Sequence, residues 1–189
     1  LLTAYPAAKK YLDFDALALQ EFLPGAAIFK KGKQKIIGDP LRNLSLLLPT
    51  LFSGIGTVND KLKILALNRR LKKKSIQNIF TQKEKTTAAY LKEIGFSNVI
   101  ITDFFTPFFS GIFLENKLET SSRMFEFVYK MFAEGNAALP KDGIEAIPKQ
   151  LFEKLKSTTC TLNTKVKSVE NGSIKLESGE ALKSNFTII

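Results

Sequence analysis

The spacing of apolar residues changes twice along the chain. From Ala16 to Gln34 short apolar groups alternate with turn residues. Phe22 and Leu23 precede Pro24-Gly25, and AAIF is joined to QKII through KKGK, where Gly32 can take the positive φ of a tight hairpin. After the turn from Gly38 to Pro40 the period becomes helical. Leu41, Leu44, Leu48 and Leu51 recur at helical intervals, and Pro40 suits a first helical position. Helix punctuation then repeats. Thr57 with Asp60 forms a capping box ahead of KLKILALNRRL, Ser75 opens a short helical turn, and Thr81 with Glu84 suggests another box ahead of KTTAAYLKEI, which Gly95 ends. Ser97 starts a further turn, and Thr106-Pro107 marks the start of a helix through FFSGIF. Ser121 and Ser122 introduce RMFEFVYKMFAEG, which has one broad apolar face and Gly135 as its stop.

Beyond AALPKDG, a helix is expected over 147–156, with Pro148 in its first turn. The remainder alternates: CTLNTKVKSVE, SIKLES and ALKSNFTII, with a turn at Ser178-Gly179, predict a three-stranded β unit. Strands, then helices, then strands predict an α+β chain with a β-hairpin or mixed sheet. Thr187, Ile188 and Ile189 resemble a buried strand whose continuation is missing, which suggests an excised piece.

Composition narrows the chemistry. The 189 residues are 44% apolar and 24% charged, ordinary for a folded domain, and no window reaches the roughly 18 apolar residues of a membrane-spanning helix. The chain contains no histidine and one cysteine, Cys160, so metal sites, histidine-based triads and internal disulfides are poor candidates. The net charge of +10 points to nucleic acid or anionic membrane only through RRLKKK at Arg69 to Lys74, and a basic helix C-terminus explains that segment better. Gly54 and Gly56 in SGIGT lack the preceding strand and third glycine of a phosphate loop, and Asp13 and Asp15 lack a third metal ligand. No catalytic residue and no metal ligand is assigned.

The stretch DFFTPFFSGIFLE carries five phenylalanines between Phe104 and Phe113. On a helix these rings cover more than one face, so the run is either core or the wall of an apolar pocket. Gly111 weakens the helix by about 1 kcal/mol relative to alanine, which suggests close approach by another backbone or a ligand.

Several phrases then add up. FLPGA, GDPLR, GTVNDKL, FFTPFFSGIFLE, TSSRMFEFVYKMFAEGNAALPKDGIEAIPKQL and LNTKVKSVE…GE…NFTII resemble the middle of FAD-dependent oxidoreductases of the amine oxidase superfamily. The nearest branch is similar to phytoene dehydrogenase-related or protoporphyrinogen oxidase-like proteins. PKDGIEAIPKQL departs from the family's Pro-x-Gly-Gly run at Asp142. The resemblance implies a helical substrate-binding domain over 14–156. It places a remnant beside the flavin domain over 1–13, and strands over 157–189 that return to a discontinuous FAD-binding domain whose N-terminal Rossmann part is absent. It implies FAD in the parent protein, held by this fragment weakly if at all, with the backbone of Val166 at its adenine end. Phe104, Phe105, Phe108, Phe109 and Gly111 become substrate-binding candidates, with one face of the run packed and the other bordering substrate. The implied parent is a dehydrogenase or oxidase that moves hydride from an apolar or amine substrate to the flavin, whereas the fragment is expected to be inactive alone. Expected partners are that small molecule and the flavin domain of the same chain, with no nucleic acid, in the cytoplasm or in shallow contact with a membrane. A non-enzymatic module binding an apolar ligand, membrane surface or nucleic acid is the alternative.

Overall fold

Helices dominate residues 1–151, and the strands among them are short antiparallel pairs. The computed structural model describes residues 1–30, 32–38 and 42–189. The expectations placed on Lys31, Asp39, Pro40 and Leu41 lie outside the described residues. The chain divides into two units, Leu1–Leu151 and Phe152–Ile189.

The first unit opens with α1 (Pro6–Tyr11), whose proline occupies the first helical position. The two-residue β1 (Gln20–Glu21) follows, then the hairpin of β2 (Gly25–Lys30) and β3 (Lys33–Gly38). Gly25 pairs with Gly38 and Lys30 with Lys33, and Gly32 has the positive φ that this tight connection requires. A 3₁₀ turn at Leu44–Leu46 leads into α2 (Leu47–Phe52).

Helix α3 (Val58–Lys72) starts on the full capping box of Thr57 and Asp60 and ends in Arg69, Arg70 and Lys72, which suit the negative end of its dipole. Next come α4 (Ile76–Phe80), capped by Ser75, and α5 (Thr87–Glu93). Thr86 caps α5, in place of the expected Thr81. Thr81 lies in the right-handed helical region at the end of α4, so its backbone cannot turn into a new helix there.

At Thr106-Pro107 the expected helix begins, but it does not begin from a loop. Helix α6 (Asn98–Ile100), capped by Ser97, continues through a π-helical segment (Ile101–Phe105) into α7 (Thr106–Phe113). The Thr106 N–H reaches back to Ile101 O across one wide turn, and Pro107 needs no donor of its own. Helix α7 therefore begins where expected, with the proline in its first turn, but as the continuation of a longer helical run.

Helix α8 (Ser122–Glu134) is capped by Ser121 and closed at Gly135. After it, β4 (Ala138–Leu139) pairs antiparallel with β1, placing Glu21 opposite Ala138. The N-terminal segment lies beside this connection: Thr3 N–H donates to Asn136 O at 3.0 Å, and Ala138 N–H to Leu1 O at 2.9 Å. Helix α9 (Ala146–Glu153) is shorter than the expected 147–156 at its far end.

The main core gathers Leu67 and Leu71 of α3, Leu91, Phe96 and Ile100 around Phe105, Phe109 and Phe125, all three fully buried. Each buried phenylalanine contributes about 1.5–3 kcal/mol of transfer free energy.

The second unit holds an antiparallel meander of β5 (Val166–Glu170), β6 (Ser173–Leu176) and β7 (Ala181–Lys183). Three strands were expected, but β5 begins later than CTLN, and Thr187 to Ile189 form no strand. Those last residues are exposed and pair with no neighbouring strand among the described residues. Every sheet among the described residues is antiparallel, so the mixed sheet is replaced by separate small ones.

Candidate functional site: an apolar cavity in the first unit

A cavity of about 370 Å³ opens among the hairpin, α2, α3, the π-helical run and α8. The hairpin contributes Ala26 and Ile37, and α2 contributes Leu47 and Leu51. From α3 come Leu62, Leu65 and Asn68, a stripe that recurs at the three-residue interval of one helix face. The remaining wall is aromatic: Phe104 and Phe108, with Tyr129 and Phe132 from α8. This surface is apolar with a few polar groups, the usual make-up of a small-molecule pocket.

The phenylalanine run divides by helical period. Phe104 and Phe108 are half-buried and line the cavity, whereas Phe105 and Phe109 are fully buried behind them in the core. Phe108 also meets Phe132 edge-on, at 5.2 Å between ring centres. Gly111 is exposed and does not line the cavity, and no atom of the described residues lies within 4 Å of where its Cβ would be. The close backbone approach expected there is not made. Val166 belongs to the second unit, at the exposed start of edge strand β5.

Two buried carboxylates hold α3, which carries much of the wall. At its N-terminus, Asp60 accepts from the Ser97 N–H at 2.9 Å and hydroxyl at 2.7 Å, and from the Thr57 N–H at 2.7 Å. Burial pushes its carboxyl up, but these hydrogen bonds outweigh burial and hold the pKa at about 2. Near the C-terminus of α3, Glu126 of α8 accepts from Lys74 at 2.7 Å, from Gln82 at 2.9 Å and from the Tyr90 hydroxyl, with Arg70 at 3.4 Å. Burial raises the Glu126 pKa, and the Lys74, Tyr90 and Gln82 bonds more than reverse it. Burial and the same carboxylate push Tyr90 well above its ordinary value. Two of the five cations in RRLKKK thus pair with Glu126, Lys74 partly buried and Arg70 at the surface. Lys130 is buried, and its ammonium caps α3 through Leu71 O at 2.8 Å.

The hairpin is tied to this frame by an ion pair between Lys30 and Asp103. Arg42 closes the C-terminus of α8, donating to Phe132 O at 2.9 Å, to Gly135 O at 3.1 Å and to the Asn136 side chain.

Residues 2–186 match the family described as flavin containing amine oxidoreductase. The chain belongs to that family. No curated protein matches the chain. The family implies a flavin. A dinucleotide cradle needs a strand that runs through a glycine turn into a helix N-terminus. Gly54 and Gly56 have positive φ, but they connect α2 to α3 with no strand before them, and the Cβ of Gly56 would press on Ile100 within the protein. The described residues do not form that cradle.

Asn68, Arg42 and Tyr129 were not singled out from the sequence. For Asn68 a signal existed: in LALNRRL it interrupts an apolar stripe at helical spacing. Nothing comparable marked Arg42, whose role depends on contacts across 90 and 93 residues of sequence.

Proposed function

We propose that this chain supplies the substrate-binding portion of a flavin-dependent oxidoreductase, and that the cavity between the hairpin and α3 receives an apolar or amine substrate. Family membership supplies the reaction class, and the aromatic and aliphatic lining of the cavity supports the ligand class. When bound, the flavin accepts the hydride, and that chemistry is the cofactor's own. Phe104 and Phe108 form the wall that orients substrate, while Phe105 and Phe109 fix that wall from behind. The exposed start of β5 leaves the Val166 backbone available for the adenine end of FAD, which the glycine cradle of the flavin domain would complete. A phytoene dehydrogenase-related or protoporphyrinogen oxidase-like substrate agrees with an apolar cavity.

Titration of the chain with Nile red, a neutral apolar dye, tests the observation that carries this reading. Leu62 lines the cavity yet is 60% exposed, so Leu62→Glu places a charge at the cavity wall with little effect on folding. The dye should bind the wild type and lose about tenfold in affinity with L62E. Equal binding by both proteins would sink the assignment of the cavity as the ligand site.

A further inference from the structure

Lys61 shares with Leu65 the face of α3 that lines the cavity. Its ammonium donates to Leu51 O of α2 at 2.6 Å, and both residues belong to the cavity wall. Leu51 is 44% exposed and Leu62 60%, whereas Lys61 is half-buried, so this ammonium stands at the rim, between the apolar wall and water. A neutral carbonyl satisfies a donor but leaves the positive charge uncompensated. Among the described residues the Lys61 ammonium pairs with no carboxylate. The neighbouring Asp60 is turned inward, onto Ser97 and Thr57.

The other cation of the lining is committed differently. Arg42 donates to Phe132 O, to Gly135 O and to the Asn136 side chain, whose amide in turn donates to Glu21 at 2.5 Å. Arg42 therefore closes a helix end and reaches an acid through Asn136, which leaves Lys61 as the lining cation with no acid in its hydrogen-bond network. Among the described residues no aspartate or glutamate lines the cavity. An ammonium-bearing molecule entering this space would lose its water, meet two like charges and find no counter-ion. An anionic head at the rim would meet Lys61 while its apolar body filled the space beside Leu65 and Phe104.

We infer that Lys61 receives the head group of the ligand, and that the cavity takes an apolar molecule ending in a carboxylate in preference to its ammonium counterpart. The inference rests on the cavity being the substrate site and narrows that reading.

Displacement of Nile red from the whole chain at neutral pH by octanoate, octan-1-ol and octylammonium reads the charge preference. Octanoate should compete best and octylammonium worst, with a gap of about tenfold that narrows at high salt. Lys61→Met keeps an apolar chain at the rim and should lower the affinity for octanoate relative to octan-1-ol by about three- to fivefold. Lys61→Glu should reverse the order of octanoate and octylammonium, an outcome that a folding defect would not produce. If the dye binds but the three compete equally in the wild type, charge selection fails while the cavity remains a ligand site. If the advantage of octanoate persists undiminished in K61M, the head group lies elsewhere and the assignment to Lys61 fails. If the dye does not bind at all, both readings fall.

Discussion

Phe104 stacks on Phe108, with ring centres 5.5 Å apart and planes inclined by 23°. One residue further on, Phe105 and Phe109 form a second pair at 6.3 Å that is wholly buried. Four rings in six positions thus serve two surfaces, because residues four apart share a helix face and adjacent residues do not. The two pairs should respond differently to truncation. Phe109→Ala should cost about 3–5 kcal/mol of stability in urea melts, since its cavity would open inside packed core. Phe108→Ala should cost about 1–3 kcal/mol and weaken Nile red binding several-fold. Equal stability losses and unchanged dye binding would remove the distinction between core face and cavity face.

Local signals in this sequence were legible where the residues that decide an element lie within it. Thr57 with Asp60, Ser75, Ser97 and Ser121 each cap the helix expected of them, because a cap needs only a hydroxyl or carboxylate and the next turn's N–H. Thr86 was missed in favour of Thr81 for a tertiary reason. Its neighbour Thr87 is drawn to Thr120 O at 2.7 Å, and Thr86 itself bridges to Ser121. Pro107 does stand in the first turn of α7, but the wide π turn that leads into it has no sequence marker. That one face of the aromatic run packs and the other borders a cavity was readable, but which rings lie on which face was not, and Phe105 and Phe109 belong to the core and not to the wall. That division depends on where α8 and the hairpin pack, and local sequence does not encode their arrival.

Asp60 links α3 to the helical run that carries Phe104, and acid should loosen that link. Its folded pKa, about 2, lies below its ordinary value near 4, so its contribution to stability is present above pH 4 and is lost as pH falls from 4 through 2. The contribution is about 2 kcal/mol. Asp60→Asn should lower the urea midpoint at pH 7, and the gap between variant and wild type should close as the pH approaches 2. A gap that persists undiminished at pH 2 would mean that the carboxylate charge does not supply the stability.

Glu126 joins the end of α3 to α5 and α8, and it is 2% exposed. Glu126→Gln keeps the shape but strips the partly buried Lys74 ammonium of its anion, which should cost about 1–3 kcal/mol. Adding Lys74→Met should restore part of that loss, because the orphaned charge leaves with the lysine. Chemical denaturation of the single and double variants measures the coupling. If the double variant is no more stable than E126Q, the Lys74 pair is not the source of the cost.

Two glycines at helix positions separate conformational freedom from close packing. At Gly135 an added Cβ would lie 2.4 Å from the Ala4 backbone nitrogen and 2.6 Å from the Ala4 Cβ, so the N-terminal segment would have to move away from the end of α8. Gly135→Ala should therefore destabilise by about 1–3 kcal/mol. At Gly111, inside α7, no atom of the described residues lies within 4 Å of an added Cβ, and an alanine there gains helix propensity. Gly111→Ala should stabilise by about 0.5–1 kcal/mol and leave Nile red binding unchanged. The same dye titration decides whether Gly111 belongs to the ligand site after all. A stabilised G111A protein with weakened dye binding would show that the ligand reaches beyond Phe108 along α7, to a glycine that the cavity wall does not include.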